Sequence, residues 1–156
     1  MLILRSIVGW LLALFLIAVY VHLTLHPLPN PAVGYVQLYD LPGENILFAT
    51  LAERSGYVMF EPTGRFVVGV FELFVAFLLL IPFFRRFGAF LSSMLLLGAV
   101  GVQLSPWLGQ ALPVSLAQGE TATDGGAFFA LTIAMLVASI LVIVVHPGKR
   151  SGKGRY

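Results

Sequence analysis

Long apolar stretches separated by short polar or proline-rich breaks dominate the chain. The first covers residues 7–25, with Arg5 before it and Pro27, Pro29 and Pro31 ending it. The second covers residues 65–81 and stops at Pro82, where Arg85 and Arg86 mark a polar hinge. The third and fourth cover about 88–108 and 125–145. At about 1.5 Å of rise per residue, each is long enough to cross a hydrocarbon core of about 30 Å. The pattern predicts an all-α integral membrane four-helix bundle. It is a single membrane domain over residues 1–148, with spans at about 6–26, 64–82, 87–108 and 125–146, followed by a basic tail over 149–156. The first stretch is too long for a signal-peptide core, no A-x-A site follows it, and further spans come after it, so it reads as a retained helix.

The 26–64 loop is too long to be a plain connector. "HPLPNP" predicts extended chain. "PGENILFATLAERSG" predicts a short amphipathic helix in this outer loop, between the first and second spans. Glu44 sits in its first turn, Arg54 in its last and Gly56 as a stop, which suits the helix dipole and the C-cap. Ile46, Leu47, Phe48 and Leu51 form its apolar side, which would lie on the surface or fold back over the bundle.

Charge adds an orientation. Arg5, Arg85, Arg86, Lys149, Arg150, Lys153 and Arg155 fall on one side of a four-span arrangement, and only Arg54 and Arg65 on the other. The acids do the reverse. The excess of basic residues predicts cytoplasmic termini on both ends and outward-facing loops at 26–64 and 109–124. Composition narrows the chemistry. At 59% hydrophobic and 10% charged residues, the chain has too much apolar surface for a soluble domain of its size. With no cysteine, it cannot supply a disulfide, a thiolate nucleophile or an iron–sulfur ligand. A net charge of +2 is no nucleic-acid signature, and the partner that the apolar composition implies is the lipid bilayer.

Glu72 breaks the second span. An ionisable group inside a membrane helix points to function by default. Arg65, Gly69, Glu72 and Ala76 share one helix face by the i, i+4, i+7 rule, a polar and small face suited to packing inward. The third span offers Gly88, Ala89, Ser92, Gly98, Ala99 and Gly101 for close approach; the fourth offers Ala127, Ala130, Ala134 and Ala138. Counting rise from the basic hinge puts Glu72 roughly 20 Å above Arg85 if the chain is helical throughout. The same count puts His22 and Gln103 roughly 26 Å up. So His22, His26, Arg65, Glu72, Gln103 and Asp124 are expected to converge on an outward-facing polar pocket under the loop helix, as a candidate binding or proton-exchange site.

Each of these residues also has a structural reading: Asp124 as an N-cap ahead of "GGAFF", Arg65 as an ion-pair partner or interface anchor, Gln103 as interhelical glue, and the histidines as interfacial residues. His22 and His26, at i, i+4, present two ligands on one face, with Glu72 the natural third, but no metal site is assigned. Glu72 is expected either in an ion pair with Arg65 or His22, or as a neutral hydrogen-bonding group.

The stretch "GRFVVGVFELFVAFLLLIPFFRRFGAFLSSMLLLGAVGVQL" carries a resemblance. With its "EL" in the second span, basic hinge and small-residue third span, it is similar to the DoxX-like family of small four-span membrane proteins. "FATLAERSG" and "DGGAFFALTIAMLVASILVIVVH" extend the resemblance over roughly residues 46–146. The first span departs: members often carry a Gly…Lys element where this chain has "YVHLTLHP". The resemblance implies a bacterial cytoplasmic membrane protein. Some relatives are linked to quinone-dependent sulfur oxidation, others to membrane complexes handling oxidative stress, and distant eukaryotic ones act as chaperones or cargo receptors. The expectation is a membrane component of a redox or quinone-linked system that needs a protein partner for electrons, the chain having no CxxCH, Rossmann or P-loop motif. The alternative is a non-catalytic assembly, anchoring or chaperone-like protein. Whether the chain is an enzyme, and whether it forms a homo-oligomer, both stay open at this level.

Overall fold

The computed structural model describes residues 2–25, 36–117 and 121–145. The order is α1 (Leu2–Leu25), α2 (Ile46–Ser55), a 3-10 turn (Val58–Phe60), α3 (Thr63–Leu80), α4 (Arg85–Leu104) and α5 (Ala127–Val145). Among the described residues the β content is one isolated bridge, Pro113 to Thr123. Four of the helices are long and apolar enough to cross a membrane. The chain is thus all-helical and fits a multi-pass membrane protein. Exposed Phe66, Val70, Phe74 and Phe77 on α3 form the kind of surface that lipid covers.

The helix ends have local causes. α3 stops because Ile81 is extended before Pro82. α4 ends at Leu104, four residues before the expected boundary, since Ser105 is extended before Pro106 and its hydroxyl donates back to the Val102 carbonyl. α5 starts after Gly125 and Gly126, both at positive φ. In α2, the Asn45 side chain accepts from Phe48 N–H at 3.1 Å, and Gly56 closes the helix in the left-handed region. Glu44 falls just outside the helix rather than in its first turn.

The long helices pack in a closed ring, α1 against α3, α3 against α4, α4 against α5 and α5 against α1. Leu16, Val75, Leu79, Ala89, Met135 and Val142 fill its centre. Gly88 lets α4 approach the end of α3: a Cβ there would lie 2.9 Å from Leu78 Cβ and 3.1 Å from Leu79 N. At the hinge, Arg85 is buried rather than at an interface. Its Nε donates to the Leu79 carbonyl, and its guanidinium lies 3.6 Å above the Trp10 ring. Arg5 donates to the Val144 carbonyl at the same end, so two cations serve the C-termini of α3 and α5.

A chain of hydroxyls crosses the bundle. Ser139 Oγ donates to the Met135 carbonyl, so Ser92 donates to Ser139 and Tyr20 to Ser92, each at 2.7 Å. This links α1, α4 and α5 and corrects the expected face of α5. Ala127, Ala130 and Ala134 are exposed, while Thr132, Met135, Ala138, Ser139 and Val142 are buried. Hydroxyls that must find partners in an apolar medium outrank small size in choosing the packed face. Gly98 and Gly101 of α4 are likewise exposed, unlike Gly88, Ala89 and Ser92. Tyr20→Phe is expected to cost about 0.6–1.7 kcal/mol, the range for interhelical hydrogen bonds in membrane bundles. Ser92→Ala should cost more because it strands the tyrosine hydroxyl. Denaturant titration in detergent checks both values.

Candidate functional site

The expected inward face of α3 is present: Arg65, Gly69, Glu72 and Ala76 are all buried. Their partners differ from those expected. Glu72 accepts from Thr24 Oγ1 at 2.6 Å, and among the described residues Thr24 is its one hydrogen-bond partner. Arg65 belongs to Glu61: Nε lies 2.9 Å from Glu61 Oε2, with both side chains buried. Its remaining nitrogens donate to the carbonyls of Gln37 and Asp40. Arg65 therefore ties residues 36–40 to the start of α3. Gly69 leaves room for that segment, since a Cβ there would lie 2.5 Å from Leu38 Cδ2. The segment also returns to α1, where Gln37 N–H and Leu38 N–H donate to the carbonyls of Leu23 and Thr24.

The depth of Glu72 also differs. The helix breaks over residues 81–84, so the count from Arg85 overstates the height. Eight residues, or about 12 Å, separate Glu72 from Leu80, close to the midpoint of α3.

α2 folds over one end of the bundle. Leu47 and Phe48 pack with Val36, Leu108 and Leu112, and Arg54 donates to the Leu108 carbonyl. Below α2, between α3 and α4, is a cavity of about 750 Å³. Its walls are apolar for the most part, with Phe48, Phe60, Met94, Leu95 and Phe128 among them. Its two buried polar residues are Glu72 and Gln103. Val67, Met94 and Gly98 are both wall and exposed surface, so the cavity opens sideways between α3 and α4, toward the face that lipid covers.

Of the expected cluster, then, Glu72 and Gln103 share the cavity. Arg65 and Asp124 hold the structure around it. Asp124 Oδ1 accepts from Leu112 N–H and Gly126 N–H, and Oδ2 from Phe128 N–H, so it serves the first turn of α5 from two residues before the N-cap position, which Gly126 occupies. His22, half-buried in the last turn of α1, is not in the cavity wall. His26 lies outside the described residues.

No family model, curated protein or solved structure matches this chain. The residues that sequence reasoning missed are Thr24 and Thr132. Both are hydroxyls in apolar helices, and Thr24 sits one turn beyond Tyr20, so the two face the interior together. Neither carries a charge or an imidazole to mark it in an apolar helix.

Proposed function

We propose that this chain is a DoxX-like membrane component of a redox system, and that its cavity binds a membrane-borne, ring-headed carrier of the quinone class. One observation carries the reading: an apolar cavity of about 750 Å³, open toward lipid, with Glu72 and Gln103 as its buried polar residues. Such a carrier needs a slot for its ring and tail and one or two groups to hydrogen-bond its oxygens. Glu72, held at one oxygen by Thr24, is the group suited to exchange a proton with the bound head. The electrons come from a protein partner. The orientation proposed with it places the α2 end outside a bacterial inner membrane and both termini in the cytoplasm. Arg5 and Arg85 at the opposite end of the bundle support that orientation.

A second reading, an assembly or anchoring protein, has its own observation. Tyr39, Leu41, Tyr57, Val58 and Met59 are exposed at the α2 end. Purification in mild detergent separates the two readings. The redox reading expects a quinone to be retained by the wild type and lost from Glu72→Gln. Unchanged quinone content in that variant, together with loss of a co-purifying protein, would favour assembly instead.

A further inference from the structure

Glu72 has one engaged oxygen and one open oxygen. Oε2 accepts from Thr24 at 2.6 Å, and Oε1 has no hydrogen-bond partner among the described residues. That oxygen is not sealed. Glu72 keeps 7% of its surface open, whereas the unpartnered Oε1 of Gln103 is enclosed. The open space that Glu72 lines is the cavity. No cation of the described chain balances this carboxyl. The one salt bridge among the described residues joins Arg65 to Glu61 at 2.9 Å, and the other Arg65 nitrogens donate to backbone carbonyls. No lysine or arginine is among the described residues of the cavity wall, whereas Phe48, Tyr57, Phe60 and Phe128 give it aromatic surface.

These observations set the charge and the polarity of a matching ligand. An unpaired carboxylate in an apolar wall is costly, and a positive charge beside it removes that cost. The sideways opening at Val67, Met94 and Gly98 admits molecules that dissolve in lipid. We propose that the cavity binds hydrophobic cations, in which a positive centre is carried by apolar or aromatic groups, with Glu72 Oε1 as the counter-charge. Attraction between opposite charges is stronger in this apolar space than in water, and aromatic rings in the wall add cation–π contact. This goes beyond the quinone-class reading and does not rest on it, since a quinone is neutral.

The test uses the purified full chain in nanodiscs of neutral phosphatidylcholine, with binding to empty nanodiscs subtracted. The probes are methyltriphenylphosphonium and triphenylphosphine oxide, which share three phenyl rings and differ in charge. The cation is expected to bind at least about tenfold more tightly than the neutral compound. In Glu72→Gln its affinity should fall to that of the neutral compound. Gly98→Phe, which places a ring in the cavity, should remove the binding of the cation and serves if Glu72→Gln folds poorly. Equal binding of the two probes to the wild type overturns the proposal, as does failure of both to bind. A preference for the cation that survives in Glu72→Gln overturns Glu72 as the counter-charge, and cation binding that survives in Gly98→Phe moves the site out of the cavity. The quinone-class reading is judged separately, by the quinone content of the purified protein, so its failure and this one are distinguishable.

Discussion

Arg65→Met is expected to destabilise the protein by about 3–5 kcal/mol, the cost of breaking a buried ion pair from one side. Arg65 and Glu61 are both buried, so the variant leaves a carboxylate without its cation. It also removes one donor each from the Gln37 and Asp40 carbonyls. The damage should be local first: residues 36–44 lose their anchor on α3, and their amides should exchange faster in hydrogen-exchange measurements. Thermal unfolding in detergent gives the global loss. The double variant Arg65→Met, Glu61→Gln removes both charges and should recover part of it, since the stranded carboxylate accounts for much of the cost. A single-variant loss below about 1 kcal/mol, the level of an exposed pair, would mean that the guanidinium does not hold this segment.

Gly98→Phe is expected to remove carrier binding by more than about 100-fold while leaving the fold intact. Gly98 lines the cavity, and nothing lies within 4 Å of where its Cβ would be. A phenyl ring there enters open space rather than a packed neighbour, and any non-glycine residue other than proline favours the helix. Gly101 provides the control. It is also exposed on α4 with open space around it, but it is not part of the cavity wall. Gly101→Phe should therefore bind as the wild type does. Quinone content after purification and unfolding temperature, measured on both variants, give the comparison. Equal quinone retention in the two would move the ligand out of this cavity.

The sequence made the spans plain because length and apolarity suffice to specify a membrane helix, and the inward face of α3 followed from the spacing of Arg65, Gly69, Glu72 and Ala76. Helix ends were less legible, since one extended residue before Pro82 or Pro106 decides them. The partner of Arg65 was within reach: Glu61 is four residues earlier, a spacing that favours ion pairs. The partner of Glu72 was harder. A threonine in an apolar helix carries no charge to draw notice, and its pairing with Glu72 depends on how α1 and α3 rotate. On α5 the alanines suggested a contact surface, whereas Thr132 and Ser139 dictated it. The cavity's apolar walls and sideways opening were not legible, because they arise where α2 docks over the gap between α3 and α4.

Thr24 has two attachments that reach in different directions. Its hydroxyl holds the Glu72 carboxyl in the bundle, and its carbonyl holds the N–H of half-buried Leu38 in the loop. Leu38 in turn rests on Gly69, one turn before Glu72 on the same face of α3. Carboxyl, threonine, loop and helix thus close a short mechanical circuit. A change at the carboxyl that breaks its bond to Thr24 would open this circuit on one side, so the cavity wall and the 36–40 segment are mechanically joined.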